Sequence, residues 1–408
     1  MTGQVALAAP STYGHAVPYA EFARLRREAP VSWVEEPERL RHSSAGLVRE
    51  RGPGYWAVTT HAAVNTVSRE PGIFSSGERG AFLVDPRTRA DLEFTRQLLI
   101  NMDAPQHTRI RRVVSSVFTP RAVSRLRDSI AAHAATVVAD VRARGTFDAV
   151  TDLAAELPLL VLADLLGVPR EDRHLFYRWS NNLVGFDDPE YGGADVDAYR
   201  RTFFEAFQYA LRIADDRRNH PRDDLASRLA VAGGLTDRQF CQFWLLLIVA
   251  GNETTRHLIG GSLRALVEHR AQRDRLIAEP GLLGTAVDEL VRYVSPVMQF
   301  RRTATKDVEL AGAHIRAGDK VVLYYVSANR DETVFDDPDR LDLARTPNPH
   351  LAFGIGSHFC LGAHLARLEL TLLLEALGPH LATLQQTGPV VRLESAFVNG
   401  AKSMPCRI

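Results

Sequence analysis

Cysteine is scarce in this chain. Three residues in 408, Cys241, Cys360 and Cys406, are too few, too widely spaced and odd in number to form a secreted disulfide framework. Net charge is missing as well: 49 basic residues balance 49 acidic ones, which argues against a global electrostatic grip on nucleic acid or anionic lipid. Long apolar runs are absent. The longest strongly apolar stretch, FWLLLIVAG at 243–251, is about half of what a bilayer span requires. The opening MTGQVALAAPSTYG has no basic leader region and only a short apolar run, so no signal peptide is expected. No repeat or low-complexity linker divides the chain. These absences point to a soluble, cytoplasmic protein in which 1–408 forms a single domain, with no nucleic-acid partner and no membrane span.

Apolar periodicity then sets the expected architecture. EFARLRREA at 21–29 reads as helix, while VSWV at 31–34 and YWAVT at 55–59 read as strands. From Asp103 to about Gly284 helices dominate, with Asp103 as the expected N-cap and Pro105 in the first turn, where a missing N–H costs least. Val297 to Leu323 turns strand-like, broken by the turn signals AGAH and AGDK. Helical spacing returns after Cys360 and ends near Gly378–Pro379. The pattern is mainly α with a minor β portion gathered from both ends, and without a βαβ series it does not suit a doubly wound nucleotide-binding sheet.

The longest helical candidate spans Leu235 to Arg270, and its middle is apolar nearly all round, which implies burial. Into that middle the chain inserts Asn252-Glu253-Thr254-Thr255. A buried carboxylate without a partner costs several kcal/mol, so the cluster is either a solvated notch or a working site. Ala250 and Thr254 share a face, and a threonine hydroxyl there can bond the carbonyl four residues back and loosen the helix. Small Ala250 and Gly251 would leave room beside that opening for a diatomic ligand or water, with Glu253 leading to a proton source.

The second unusual stretch is HLAFGIGSHFCLGAHLARLEL at 350–370. Gly354 and Gly356 allow a tight turn and close backbone approach to something flat or bulky, and Gly362 keeps the next turn slim. Cys360 stands where a helix begins, so backbone N–H groups and the helix dipole favour its thiolate, a suitable ligand for haem iron. Competing readings are a buried structural cysteine, a zinc site from His358, Cys360 and His364, and a dinucleotide loop in GIGSHF that lacks its third glycine.

FGIGSHFCLG matches, at every diagnostic position, the haem-ligand signature of the cytochrome P450 superfamily. AGNETT at 250–255 resembles its oxygen-activating helix motif, and Glu289–Arg292 in DELVRYVSP resembles its Glu-x-x-Arg pair. The three occur in the family's order. The resemblance implies a P450 fold, with haem b between the long oxygen-activating helix and the cysteine-loop helix. Cys360 would be the thiolate ligand, and His107, Arg111, Arg302 and His358 would bind the haem propionates. Ala250, Gly251, Phe353, Gly354 and Gly362 would border the haem, with Phe353 shielding the thiolate. Thr254 would steer protons in oxygen activation, and Glu253, where aspartate is commoner, would be the relay acid. Glu289 and Arg292 would pair with Arg340, with Arg345 as a nearby rival. The reaction implied is monooxygenation using O2, and without flavin or NADPH modules the electrons would come from a ferredoxin and its reductase. Arg109, Arg112 and His364 are candidates for that docking face.

A haem-binding sensor without turnover is the alternative, although an intact Glu253–Thr254 pair speaks for catalysis. The substrate should be a hydrophobic small molecule. Candidate contacts are Val249, Ala250, Val297, Met298 and Phe397, within or near the segments GAFLV at 80–84, NNLVGF at 181–186, PVMQF at 296–300 and AFVNG at 396–400. NMDAPQHTRIRR, WSNNLVGFDDPEY, NPHLAFGIG and FVNGAK look like actinobacterial members that oxidise sterol side chains and branched lipids, whereas 77–96 fits that subgroup less well. A terpenoid or other secondary-metabolite intermediate could use the same frame.

Overall fold

A threonine followed three residues later by a glutamine starts the longest helix. In the computed structural model, which describes residues 5–43, 46–86, 88–192, 195–232 and 234–408, the Thr236 hydroxyl accepts from the Gln239 amide and the Gln239 side chain accepts from the Thr236 amide. Two of the four N–H groups left over at a helix start are thereby satisfied. Seven helices position the site: α1 (Gln106–Ser115), α2 (Arg127–Arg144), α3 (Arg173–Val184), α4 (Val196–Asn219), α5 (Asp237–Glu268), α6 (Leu283–Val294) and α7 (Ala363–Leu377). Helix α5 packs against α3, α4, α6 and α7, which accounts for its apolar circumference. Trp179 on α3, Tyr209 on α4 and Trp244 on α5 meet in one buried aromatic cluster with Phe176. Among the described residues no helix is long and apolar enough to cross a membrane.

The β portion does come from both ends. Strands β1 (Val31–Val34), β2 (Tyr55–Val58), β3 (Phe74–Ser75), β4 (Gln299–Ala304) and β5 (Lys320–Tyr324) form one sheet in the order β1-β2-β5-β4-β3. Only the β5–β2 pairing is parallel. Strand alternation sends adjacent arginines to opposite faces: Arg301 donates to Asp85 at 2.7 Å, while Arg302 lines the large cavity described below. The expected turns hold, with positive φ at Ala311 and Gly312 in AGAH and at Gly318 in AGDK. A smaller sheet joins Pro405–Arg407 at the carboxyl end to Thr146–Asp148 and Gln385–Gln386.

Asp103 is not the side-chain cap of α1. Its carboxylate accepts from the Ser75 hydroxyl and from the amides of Ser76 and Gly77, the latter two at 2.9 and 3.1 Å, so it ties the helix start to the end of β3. Only its backbone carbonyl joins the helix, accepting from His107 N at 2.9 Å. Three donors from a neighbouring chain segment outcompete one local amide.

Candidate functional site

The cysteine loop is built by glycine where the sequence suggested it. Gly354 and Gly356 have φ of +66° and +77°, a region L side chains rarely adopt. A Cβ on Gly356 would also fall 2.5 Å from the Ser68 carbonyl oxygen, so the loop lies directly on the helix His61–Arg69. The loop closes through Cys360 N donating to Phe353 O at 2.8 Å and Leu351 N donating to Asn329 Oδ1 at 2.6 Å. Helix α7 begins three residues later, with Gly362 as its cap and open space around it.

Cys360 borders a cavity of about 270 Å³ between this loop and α5. Its partial accessibility is to that cavity. Burial pushes its thiol up, against the Gly362 amide and the charges of Arg111 and Arg367. The helix start therefore favours thiolate as expected, but burial wins in the protein alone. A metal ion reverses such a balance, because a coordinating thiol is deprotonated. Cys241 and Cys406 are buried in the core, with thiols pushed up by burial to about 12 and about 11, and read as structural. The zinc alternative fails: among the described residues no cluster of three ligating side chains exists, and His364 faces solvent.

Across the cavity, Thr254 Oγ1 donates to Ala250 O at 2.5 Å, the bond expected of a threonine that loosens its helix. Ala250, Gly251, Glu253 and Thr254 all border the cavity. The notch is not solvated. Glu253 is 2% exposed and is held by Arg256 Nη2 and, at 3.3 Å, by His257 Nε2. Burial pushes the carboxyl up, but Arg256 and His257 outweigh it and keep it below the ordinary range. Arg256 in turn donates to Asn181 Oδ1 at 2.7 Å. Spacings of three and four from Glu253 place both partners on its helix face, a signal present in the sequence and not used there.

Four basic side chains from three elements converge on the same cavity: His107 and Arg111 from α1, Arg302 from β4 and His358 from the loop. Arg302 is 4% exposed; its one hydrogen bond among the described residues goes to Arg301 O, and it forms no ion pair there. His107 Nε2 is buried without a partner among the described residues, and its ring lies 4.3 Å from that of His358. Burial and the neighbouring cations push His107 down and His358 to about 2. Buried charge of one sign is costly unless an anion joins it. A flat ligand with two carboxylates, as haem has in its propionates, supplies that anion, and the thiol across from it supplies a ligand for its iron. The residues present fit haem.

The remaining wall is apolar. Val249, Ala250, Val297 and Phe397 border the cavity as anticipated, but Met298 does not. Met298 is fully buried in a separate core with Tyr324 and Val322, on the other side of the chain from Val297, which bridges to Val398 just before β4. The segments contribute selectively: Phe82 from 80–84, Val184 from 181–186, and Pro296, Val297 and Phe300 from 296–300. Phe397 packs edge to face on both Phe82 and Phe300, which are tilted to each other, with centroids 5.4 to 6.2 Å apart, a cluster the sequence alone did not reveal.

Below the loop, Glu289 and Arg292 form a bidentate pair at 2.7 and 2.8 Å with neither side chain exposed. The third member is Arg345, not Arg340. Arg345 Nε lies 3.2 Å from both Glu289 oxygens, whereas the Arg340 side chain is turned to solvent and Asp342. Arg340 contributes its carbonyl, which accepts from Arg292 and Arg345. From the sequence Arg340 is the expected third member, with Arg345, five residues on, as its rival. Sequence reasoning also passed over Glu369 on α7, a cavity-lining carboxyl with one oxygen unpartnered. Burial pushes it up to about 8. Arg109, Arg112 and His364 are exposed.

Comparison with known proteins agrees with this geometry. The family profile described as Cytochrome P450 matches residues 194–377. A steroid C26-monooxygenase of Mycolicibacterium smegmatis is 41% identical over 393 residues, 95% of this chain and 89% of the relative. A methyl-branched lipid omega-hydroxylase of Mycobacterium bovis is 40% identical over 396 residues, 94% and 89% of the two chains. Among solved structures, Mycobacterium marinum cytochrome P450 CYP268A2 in complex with pseudoionone superposes with a TM-score of 0.90 at 39% identity, covering 100% of this chain and 99% of that one.

Proposed function

The chain belongs to the cytochrome P450 family, monooxygenases that bind haem b through a cysteine thiolate, and from that premise we propose that Cys360 is the ligand and that the substrate is the branched hydrocarbon end of a steroid or methyl-branched lipid. The observation that carries the substrate reading is the cavity wall. Apart from the haem-side cations, Tyr325, Thr255, Glu369 and the Glu253–Thr254 pair, it offers hydrocarbon: Val249, Ala250, Val297 and the Phe82–Phe300–Phe397 cluster. Such a wall orients a chain by shape and leaves a C–H bond as the group presented. The named relatives act on substrates with that character.

When bound, a haem-thiolate supplies insertion of one oxygen atom from O2 into a C–H bond while the other leaves as water. The chain's own residues do the rest. Arg111, Arg302, His107 and His358 hold the propionates, and Phe353 covers the thiolate side. Ala250 and Gly251 leave space beside the loosened turn. Thr254 holds a proton at Oγ1, and Glu253 replaces it. We assign residues 1–408 to one cytoplasmic domain that takes electrons from a ferredoxin, with Arg109, Arg112 and His364 offering exposed basic groups on the cysteine-loop side.

The deciding experiment titrates the purified protein with cholestenone and with phytanic acid, following displacement of iron-bound water. Turnover with a surrogate ferredoxin and reductase then identifies the carbon oxidised. Terminal hydroxylation is the expected result. A reduced carbon-monoxide complex without the strongly red-shifted Soret band would overturn the thiolate assignment. Oxidation confined to the steroid ring, or of neither probe, would overturn the side-chain reading.

A further inference from the structure

Glu253 stands between two cavities. One is the apolar cavity above, which it borders with Thr254. The other is a cleft of about 170 Å³ whose mixed lining includes Arg256, His257, Arg264, Glu268, Arg392 and Gly400. It has room for several waters and reaches the surface beside exposed Glu268.

His257 joins the two. Its Nε2 is 3.3 Å from Glu253 Oε2. Its Nδ1 faces Gly400, where a Cβ would fall 2.2 Å from that nitrogen. Glycine at 400 is thus what lets the chain pass this close to the ring, with no side chain between Nδ1 and the cleft that both residues line. We propose that His257 passes protons from the cleft to Glu253, acting through Glu253 on the Thr254 hydroxyl; this rests on the reading of Glu253 and Thr254 given above.

The neighbours do not offer a second route. Arg256 holds the same carboxylate oxygen, but a guanidinium does not release protons in a protein. Ser180 receives a hydrogen bond from Asn252 Nδ2 at 2.6 Å and lies near Glu253, yet it is fully buried and lines neither cavity. Tyr177, whose ring lies under Arg256, and Tyr191 line neither cavity either. The groups facing His257 are Glu253 and Arg256 on its own helix and Arg392 from the carboxyl-terminal segment. Arg264, Glu268, Tyr19, Tyr293 and Arg330 complete the polar side of the cleft.

Burial, Arg256 and Arg392 push His257 down, so the ring is neutral. Nε2 also lies 3.4 Å from Arg256 Nη2, a donor, but that guanidinium is already bonded to Glu253 and Asn181, so Nε2–H serves the carboxylate and the lone pair lies on Nδ1, on the cleft side. A proton delivered from solvent through cleft water and accepted at Nδ1 gives the imidazolium, which releases the Nε2 proton to Glu253, the water regaining its own proton from solvent. No electron moves, and one proton from the cleft ends on the carboxyl group.

The test has two arms. In haem-loaded protein carrying ¹⁵N-labelled histidine, NMR should find His257 protonated on Nε2 and bare on Nδ1; the reverse tautomer overturns the route without reference to turnover. In the second arm, oxygen reduction with cholestenone present is followed for the parent, Glu253→Gln, His257→Asn and His257→Gln. Both histidine variants should divert electrons to peroxide and lower the proton-dependent rate by about tenfold or more, with a larger solvent deuterium effect. Parent-like behaviour of His257→Gln, which keeps a hydrogen bond but cannot pass a proton, would make His257 merely structural. If Glu253→Gln is impaired and the histidine variants are not, the route falls and the relay acid stands. If Glu253→Gln behaves as the parent, both fall. Should the histidine variants fail to load haem, the tautomer decides alone.

Discussion

Two charged clusters flank the cysteine loop, and they are balanced in opposite ways. Below it, Glu289 is surrounded by Arg292 and Arg345, and spare N–H groups find the carbonyls of Asn329, Pro338 and Arg340. Along the cavity, Arg302, Arg111, His107 and His358 face one another with no acidic partner in contact among the described residues. The first cluster is complete within the chain and braces the loop. In the second, burial and mutual repulsion keep the histidines neutral, and Arg302 and Arg111 lack a countercharge in contact that a bound anion would supply. Self-sufficiency marks a structural device, and unrelieved charge marks a place kept for a ligand.

That contrast is most easily broken at Arg292. Arg292→Ala would leave a fully buried carboxylate without its main partner, with an expected loss of about 3–5 kcal/mol whether or not haem is bound. Urea unfolding of both forms checks it. Arg302→Gln should do the reverse, weakening haem retention by about tenfold or more, the scale of one charge-assisted hydrogen bond, while the haem-free protein loses nothing. Haem transfer to apomyoglobin measures the first and urea unfolding the second. A haem-free Arg302→Gln protein as unstable as Arg292→Ala would dissolve the distinction.

Glu369 sharpens the comparison from the acidic side, because it has neither partner nor surplus cation and answers burial by keeping its proton. Its folded pKa of about 8 lies above the unfolded carboxyl value near 4.5. The folded chain therefore holds a proton that the unfolded chain has lost between those values. Stability from this group is full below about pH 4.5 and declines as pH rises toward 8, by about 1.4 kcal/mol per unit. Glu369→Gln should flatten that slope, as melting temperatures between pH 5.5 and 7.5 would show. Smallest of all, Arg340→Ala should stay within about 0.5 kcal/mol, since only its backbone serves the brace; a larger loss in urea would return its side chain to the cluster.

The sequence was most legible where chemistry demands a residue type at a fixed position. The glycine-built turn before Cys360 and the Thr254–Ala250 bond follow from local spacing, whereas the basic residues around the cavity were named by the family resemblance. What it hid depends on contacts made across the fold. Asp103 abandoned a local cap because Ser75, Ser76 and Gly77 come together beside it. Met298 and Val297 are neighbours in sequence, yet one enters a core with Tyr324 and the other the cavity wall, because the segment leading into β4 sends them to opposite sides. Arg345 rather than Arg340 reaches Glu289 because of how one loop turns, and the aromatic cluster draws Phe82, Phe300 and Phe397 from three distant segments.

The short sheet at the carboxyl end has a practical consequence. Residues 397–400 put Phe397 into the substrate wall, pair Val398 with Val297 and set Gly400 against His257, while Pro405–Arg407 anchors the run to Thr146–Asp148. A chimera that exchanges this tail with a relative would therefore alter which molecule is accepted and how efficiently electrons become product in one step, and tail libraries should be screened for both traits together.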